Sequence, residues 1–450
     1  MPHTRRRLSP PQALAASIAG LILAGGVVLW LPVSQASGRS TSFLDALFTA
    51  TSAVCVTGLI VVDTPNQFSS FGQVALMLLI QFGGLGYMTI STVLATALGR
   101  AVTLQERLAL QEALNAQGLE GLVKFAGTVL KLTLFFELTG AAILAARWSG
   151  ELGLGKAAWF GLFHSVSAFN NAGFALWSDN LTQWRGDVTV NAVITGLIIV
   201  GGLGFLVLSE LIRQNRRVRL SLHTKLALTA TAMLLVVGTS GLLVLEWHNP
   251  HTLGPLGLKD KLLAAWFQSV SPRTAGFNTI DIGSMTAPAL FLTMALMFIG
   301  ASPGSTGGGV KTTTFSVTVV ALWTTVRGGD EPELFGRRLS HETVARAFLV
   351  SLIAFLALNA TAGAMLVSEG RDLLKTLFET TSAFGTVGLS MGENGSAVSL
   401  SAFFSPLGKL LVMSMMFMGR IGPLTLAFAV ARRGMTQARI RYPEGKVLIG

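Results

Sequence analysis

One short motif occurs four times in this chain. The strings "FTATSAVCVTGLIVVD", "FHSVSAFNNAGFALWSD", "FQSVSPRTAGFNTID" and "FETTSAFGTVGLSMGE" each hold a Phe, a Ser/Thr-rich amphipathic turn, and a glycine followed by an apolar residue. Those glycines, Gly58, Gly173, Gly276 and Gly388, lie 115, 103 and 112 residues apart, so the repeated unit is domain-sized. An apolar span precedes each string, starting near Pro11, Leu122, Leu222 and Thr343, and another follows, starting near Gln73, Val188, Pro288 and Pro406. The following spans also resemble one another: "IQFGGLGYMTIS", "IIVGGLGFLVLS", "MFIGASPGSTGGG" and "MFMGRIGPLTLAF". Each unit therefore reads as helix, short re-entrant segment, helix. The copies occupy residues 1–99, 100–212, 213–326 (with a broken second helix) and 327–450 (with a basic tail).

Only 12% of the 450 residues are charged, against about 25% in a soluble protein. With recurrent apolar segments of spanning length, this defines an all-α integral membrane protein. The expected architecture is eight spanning helices and four re-entrant pore half-helices in a pseudo-fourfold arrangement around one pore. The net charge of +11 does not signal a nucleic-acid partner. The basic residues sit at Arg5–Arg7, in "RQNRRVR", at Arg337–Arg338 and in the tail, between or beyond the apolar spans. That is the pattern of cytoplasmic loops, and it puts both termini in the cytoplasm. The apolar run from Pro11 to Pro32 is too long for a signal-peptide core and reads as the first helix. A single cysteine, Cys55, excludes an intrachain disulfide and a cysteine-based metal cluster.

The four strings are too short to span a bilayer. Non-helical backbone is tolerated at membrane depth only where protein buries it or it lines water. Four such loops around one axis present rings of carbonyls, which replace a cation's hydration shell. Each half-helix directs its partly negative C-terminal end to the centre, and each glycine supplies the positive φ that turns the backbone. The candidate filter is Val56-Thr57-Gly58, Asn171-Ala172-Gly173, Thr274-Ala275-Gly276 and Thr386-Val387-Gly388. Ordinary interhelical turns also favour Gly and Ser, but four strings in register, each between two apolar spans, exceed that explanation. One acid follows each glycine: Asp63, Asp281 and Glu393 at +5, Asp179 at +6. Either these acids concentrate cations at the outer mouth or they cap the next helix.

These strings, with "GSTGGGVKTTT" and "GRIGPLT", are similar to those of the Trk/Ktr/HKT superfamily of potassium-translocating subunits, along nearly the whole chain. The chain begins directly with the first repeat, without an additional N-terminal helix pair, and so is more similar to the Ktr type. The resemblance implies K+ transport at the inner membrane, often with a need for or response to Na+. It also implies a homodimer with one pore per subunit, resting on a cytosolic, KtrA-like ring of nucleotide-binding regulatory subunits. Glycine at all four filter positions favours K+; the third string is one residue shorter between its Ser and Gly, and the uneven filter residues suggest modest discrimination against Na+.

The stretch "GASPGSTGGGVKTTTF" approaches a P-loop but fails by one residue, since Val310 separates Gly309 from Lys311, and it lies in a membrane span. Its composition suits a broken helix: Pro303 and Gly304, Gly307, Gly308 and Gly309 disfavour helix. Gly304, Ser305, Thr306, Gly307, Gly308, Gly309, Lys311 and Arg420 form the expected gate, at the position of the family's intramembrane loop. Arg420, in the equivalent span of the fourth repeat, is a charge at membrane depth and thus a functional candidate, with pairing to a buried acid as the alternative. Lys311 reads as snorkelling toward cytoplasmic water. Lys131, Glu137 and His164 read as structural. No His/Asp/Ser or metal constellation suggests an enzyme, and no intramembrane acid pair suggests a coupling-ion site, although Na+-coupled K+ symport is the alternative. The basic loops and tail are the expected docking surface for the partner, or they set topology and touch anionic lipid.

Overall fold

A computed structural model describes residues 9–86, 121–213, 220–393 and 395–430, with isolated positions at 89, 92, 96, 108 and 111. Repeat 1 comprises α1 (Pro10–Trp30), α2 (Phe43–Val54), the single turn α3 (Thr64–Gln67) and α4 (Ser70–Leu85). Repeat 2 comprises α5 (Leu122–Leu152), α6 (Leu154–Phe169), α7 (Val188–Leu203) and α8 (Phe205–Arg213). Repeat 3 comprises α9 (Leu222–Glu246), α10 (Leu258–Val270), α11 (Ala287–Phe298) and α12 (Thr312–Val326). A small hairpin, β1 (Glu333–Leu334) paired antiparallel with β2 (Arg337–Arg338), leads to repeat 4: α13 (His341–Glu369), α14 (Leu373–Gly385), α15 (Pro406–Ile421) and α16 (Pro423–Val430).

The first helix of every repeat is long and apolar enough to cross a bilayer. Its outward residues, such as Phe135, Val236, Phe355 and Val367, are exposed, as lipid contact requires. The helix between the two spans is short and directed inward. Its last turns are fully buried in each repeat, around Phe48, Phe169, Phe267 and Phe384. Helix starts follow local chemistry: Ser42, Ser69, Asp187, Ser221, Thr286, Ser340, Asp372 and Ser405 each accept a backbone N–H of the first turn.

The second spans depart from expectation. Composition places a break in repeat 3 alone, yet α4, α7 and α15 each end at a glycine of positive φ: Gly86 (77°), Gly204 (95°) and Gly422 (92°). The axes of α7 and α8 meet at 100°. The left-handed backbone that ends each helix is one that glycine adopts readily. Repeat 3 differs in having an inserted loop, Ile299 to Lys311, where repeats 2 and 4 have the single residues Gly204 and Gly422.

Candidate functional site

The four strings close a ring. A Cβ on Gly58 would lie 2.5 Å from the carbonyl oxygen of Ala172, and one on Gly173 would lie 2.8 Å from that of Ala275. Gly276 meets the carbonyl of Val387 in the same way, and Gly388 meets that of Thr57. Each repeat thus abuts the next, and the fourth returns to the first. All four glycines have positive φ, as do Val56, Asn171, Thr274 and Thr386 two residues earlier. Left-handed backbone is costly for such residues, and its recurrence at four equivalent places marks one shared local geometry. The eight non-glycine residues of the ring are fully buried.

Four serines hold the strings from behind. Ser52 Oγ accepts from Gly58 N at 2.9 Å, and Ser382 Oγ accepts from Gly388 N at 3.1 Å. Ser167 Oγ donates to the carbonyl of Phe174 at 2.8 Å, and Ser271 Oγ donates to that of Phe277. Backbone bonds from Thr57 N to Ser52 O (2.7 Å), Ala172 N to Ser167 O (2.7 Å), Ala275 N to Ser271 O (2.9 Å) and Val387 N to Ser382 O (2.9 Å) complete the brace. In the shorter third string the spacing changes but the serine keeps its place.

Above the ring lies a vestibule of about 480 Å³, and Gly58, Gly173, Gly276 and Gly388 all border it. Asp63, Asp179 and Asp281 line it as well. Glu393 does not. Its carboxylate is paired with Arg371 at 2.6 Å, where it anchors the loop that follows the fourth string. Asp281 caps its own turn, accepting from Gly283 N (3.0 Å) and Ser284 Oγ (2.5 Å).

Below the ring lies the glycine loop. Its neck is closed by Gly300 N to Val310 O (2.9 Å) and Thr312 N to Ala301 O (3.2 Å). Thr306 reaches repeat 2, with N on Gly201 O and Oγ1 on Phe169 O, both at 3.3 Å. Gly308 N donates to Thr386 Oγ1 of the fourth string at 3.0 Å. A Cβ on Gly307 would collide with Thr274, and one on Gly308 with Thr386, so these glycines permit close seating under the ring. Arg420 donates to the carbonyls of Thr306 and Gly83, and to that of Gly84 at 3.0 Å. The loop and Arg420 therefore reach all four repeats. Lys311 does not snorkel: its Nζ donates to Gly307 O at 2.6 Å, and it lines, with Arg420, a cavity of about 110 Å³ beside the loop.

The chain matches the model of the TrkH family, described as cation transport protein, over residues 18–439. The chain belongs to that family. It is a transport protein and not an enzyme. It is 44% identical to the Ktr system potassium uptake protein B of Bacillus subtilis (strain 168), over 99% of this chain and 97% of that protein. It is 39% identical to the potassium/sodium uptake protein NtpJ of Enterococcus hirae, over 100% of this chain and 99% of that protein. The crystal structure of the potassium transporter TrkH from Vibrio parahaemolyticus superposes with a TM-score of 0.73 at 18% identity, covering 96% of this chain and 87% of that one. The TrkH-family fold is thus present along the chain.

Within this TrkH-family chain the structure brings the twelve candidate filter residues together, sets three of the four acids above them and places the loop with Arg420 below. No acid pairs with Arg420 among the described residues; its partners are carbonyls. The bracing serines and Arg273 escaped the sequence reading, whereas Glu137 was read as structural. The serines were seen only as turn formers. Arg273, in the third string, is buried beside Thr231, whose carbonyl it meets at 3.3 Å. Glu137 is tied by Gln81 (3.1 Å) and Asn170 (2.8 Å), joining repeats 1 and 2 behind the ring. The basic tail and "RQNRRVR" lie outside the described residues, apart from Arg213.

Proposed function

We propose that the chain mediates K+ uptake across the bacterial cytoplasmic membrane through the four-string ring, with the glycine loop and Arg420 as its gate. The observation that carries this reading is the cyclic contact of Gly58, Gly173, Gly276 and Gly388 with the neighbouring string's carbonyls. Such a ring can exchange water for carbonyl oxygen around a dehydrated cation. The gate reading is supported by the loop's seat against Thr274 and Thr386, directly below the ring. The division into repeats near residues 99, 212 and 326 follows from the ring, since each repeat contributes one string.

Potassium is the substrate in the names of the Bacillus and Enterococcus relatives, and the latter's name adds sodium. That name favours a second reading, in which Na+ is also carried or drives uptake. Because the ring closes within one chain, a homodimer would hold one pore per subunit. The "Ktr system" name and the basic cytoplasmic segments support a nucleotide-binding, KtrA-like regulatory ring as partner. Cytoplasmic termini and lipid contact of the basic loops follow from the charge pattern.

The test is 86Rb+ flux into liposomes holding the purified chain, with K+ and Na+ as competitors. K+ should compete better than Na+, and Gly388→Ser should alter that ratio in folded protein. Absence of flux from the chain together with its regulatory partner would overturn the reading.

A further inference from the structure

The four acids above the ring are not equivalent. Glu393 is neutralised by Arg371, Asp281 caps its own turn, and Asp179 accepts from Thr182 Oγ1 at 3.0 Å. Asp63 is different. It precedes α3, yet its side chain makes no capping bond to that turn. One oxygen, Oδ2, accepts from Ser178 Oγ of repeat 2 and from Asn66 Nδ2, both at 2.6 Å. The other, Oδ1, is buried without a hydrogen-bond partner. The adjacent Thr64 is only 2% exposed, and its Oγ1 is likewise buried and without a partner. Both residues stand in the vestibule wall, at the corner where repeats 1 and 2 meet.

A carboxylate oxygen removed from water and left unpaired costs several kcal/mol unless a positive charge meets it. Among the described residues no lysine or arginine lines the vestibule. A bare cation from the outer solution is the partner that fits. A hard, spherical ion accepts carboxylate and hydroxyl oxygens together. The attraction is also larger here than in bulk water, because protein excludes solvent from the two oxygens.

We propose that Asp63 and Thr64 form a discrete loading site for a partly dehydrated monovalent alkali cation, one step above the filter. This rests on the reading of the four strings as the conduction path. The site breaks the fourfold symmetry of the mouth: an ion sheds part of its shell at the repeat 1–2 corner before it meets Gly58 and Gly173. Ser178, by bonding Oδ2, holds the carboxylate and leaves Oδ1 unpaired.

The experiment is initial 86Rb+ uptake by the full chain in liposomes, with its regulatory partner if uptake needs it, across a range of external Rb+, at low ionic strength and again in high choline chloride. Asp63→Asn should raise the half-saturating Rb+ concentration roughly five- to tenfold, by more than it lowers the maximal rate. Thr64→Val should shift it in the same direction by less. Both shifts should persist in choline chloride, because a coordinating site is screened far less than a surface field. Glu151→Gln, an outward-facing acid off the vestibule, should leave the curve in place. If the Asp63→Asn shift vanishes in choline chloride, or Thr64→Val has no effect, the discrete site is refuted and only a diffuse field remains. Should Asp63→Asn fail to fold, Thr64→Val decides alone by the same salt criterion. Loss of all saturable uptake by the wild type with its partner would instead refute the conduction path itself.

Discussion

The guanidinium of Arg420 donates a hydrogen bond to the carbonyl oxygen of Thr306, a residue 114 positions away in the glycine loop. The same side chain bonds the end of α4 through Gly83 and Gly84. One cation therefore ties the loop of repeat 3 to the second span of repeat 1, beneath the four-glycine ring. In the aligned spans this position is Gly84, Gly202 and Ala301, so only the fourth repeat can reach across. Removing the tie should free the loop. Arg420→Gln is expected to raise Rb+ flux by roughly tenfold, the equivalent of one lost charge-assisted hydrogen bond. Single-turnover uptake into liposomes measures it, and unchanged or lower flux in folded protein would count against the gate.

The loop itself offers a second test. Deleting Gly307–Gly309 removes the segment seated against Thr274 and Thr386 and should also raise flux. Combined with Arg420→Gln, the deletion should add little, because both changes release the same loop; fully multiplicative effects would mean that they act separately.

Ser382 bonds the amide of Gly388, and loss of that bond should loosen the filter without occluding it. Ser382→Ala is expected to cost about 1 kcal/mol of stability, and to narrow the difference between K+ and Na+ as competitors. Melting curves and competition assays on the same preparation read both effects.

Glu137 is a stability element on this account. Glu137→Leu takes the acceptor of Gln81 Nε2 and one of the acceptors of Asn170, and should destabilise by about 1–3 kcal/mol. Glu137→Gln, which preserves an acceptor, should cost less. A large change in ion competition with unchanged melting would instead assign it to the conduction path.

Much of this was legible because the sequence states it four times. The strings around Gly58, Gly173, Gly276 and Gly388 announce themselves by repetition, and pseudosymmetry then fixes their arrangement about one axis. The breaks at Gly86, Gly204 and Gly422 were present in "GGLG" and "GRIG", but a single glycine ends a helix only when its backbone turns left-handed, which composition does not reveal. Pairs distant in sequence stayed hidden. Nothing local links Glu393 to Arg371, and the offset from the filter glycine made Glu393 look like its three counterparts. Lys311 looked long enough to reach water, yet the carbonyl of Gly307, brought back by the loop, meets it first.

Transport through the four-glycine ring requires cations to occupy it. The most direct measurement is anomalous scattering from crystals of the full protein grown with Rb+. A peak on the axis between the carbonyls of Thr57, Ala172, Ala275 and Val387, diminished when K+ replaces Rb+, is the result expected. An empty axis in crystals that hold Rb+ elsewhere would contradict it.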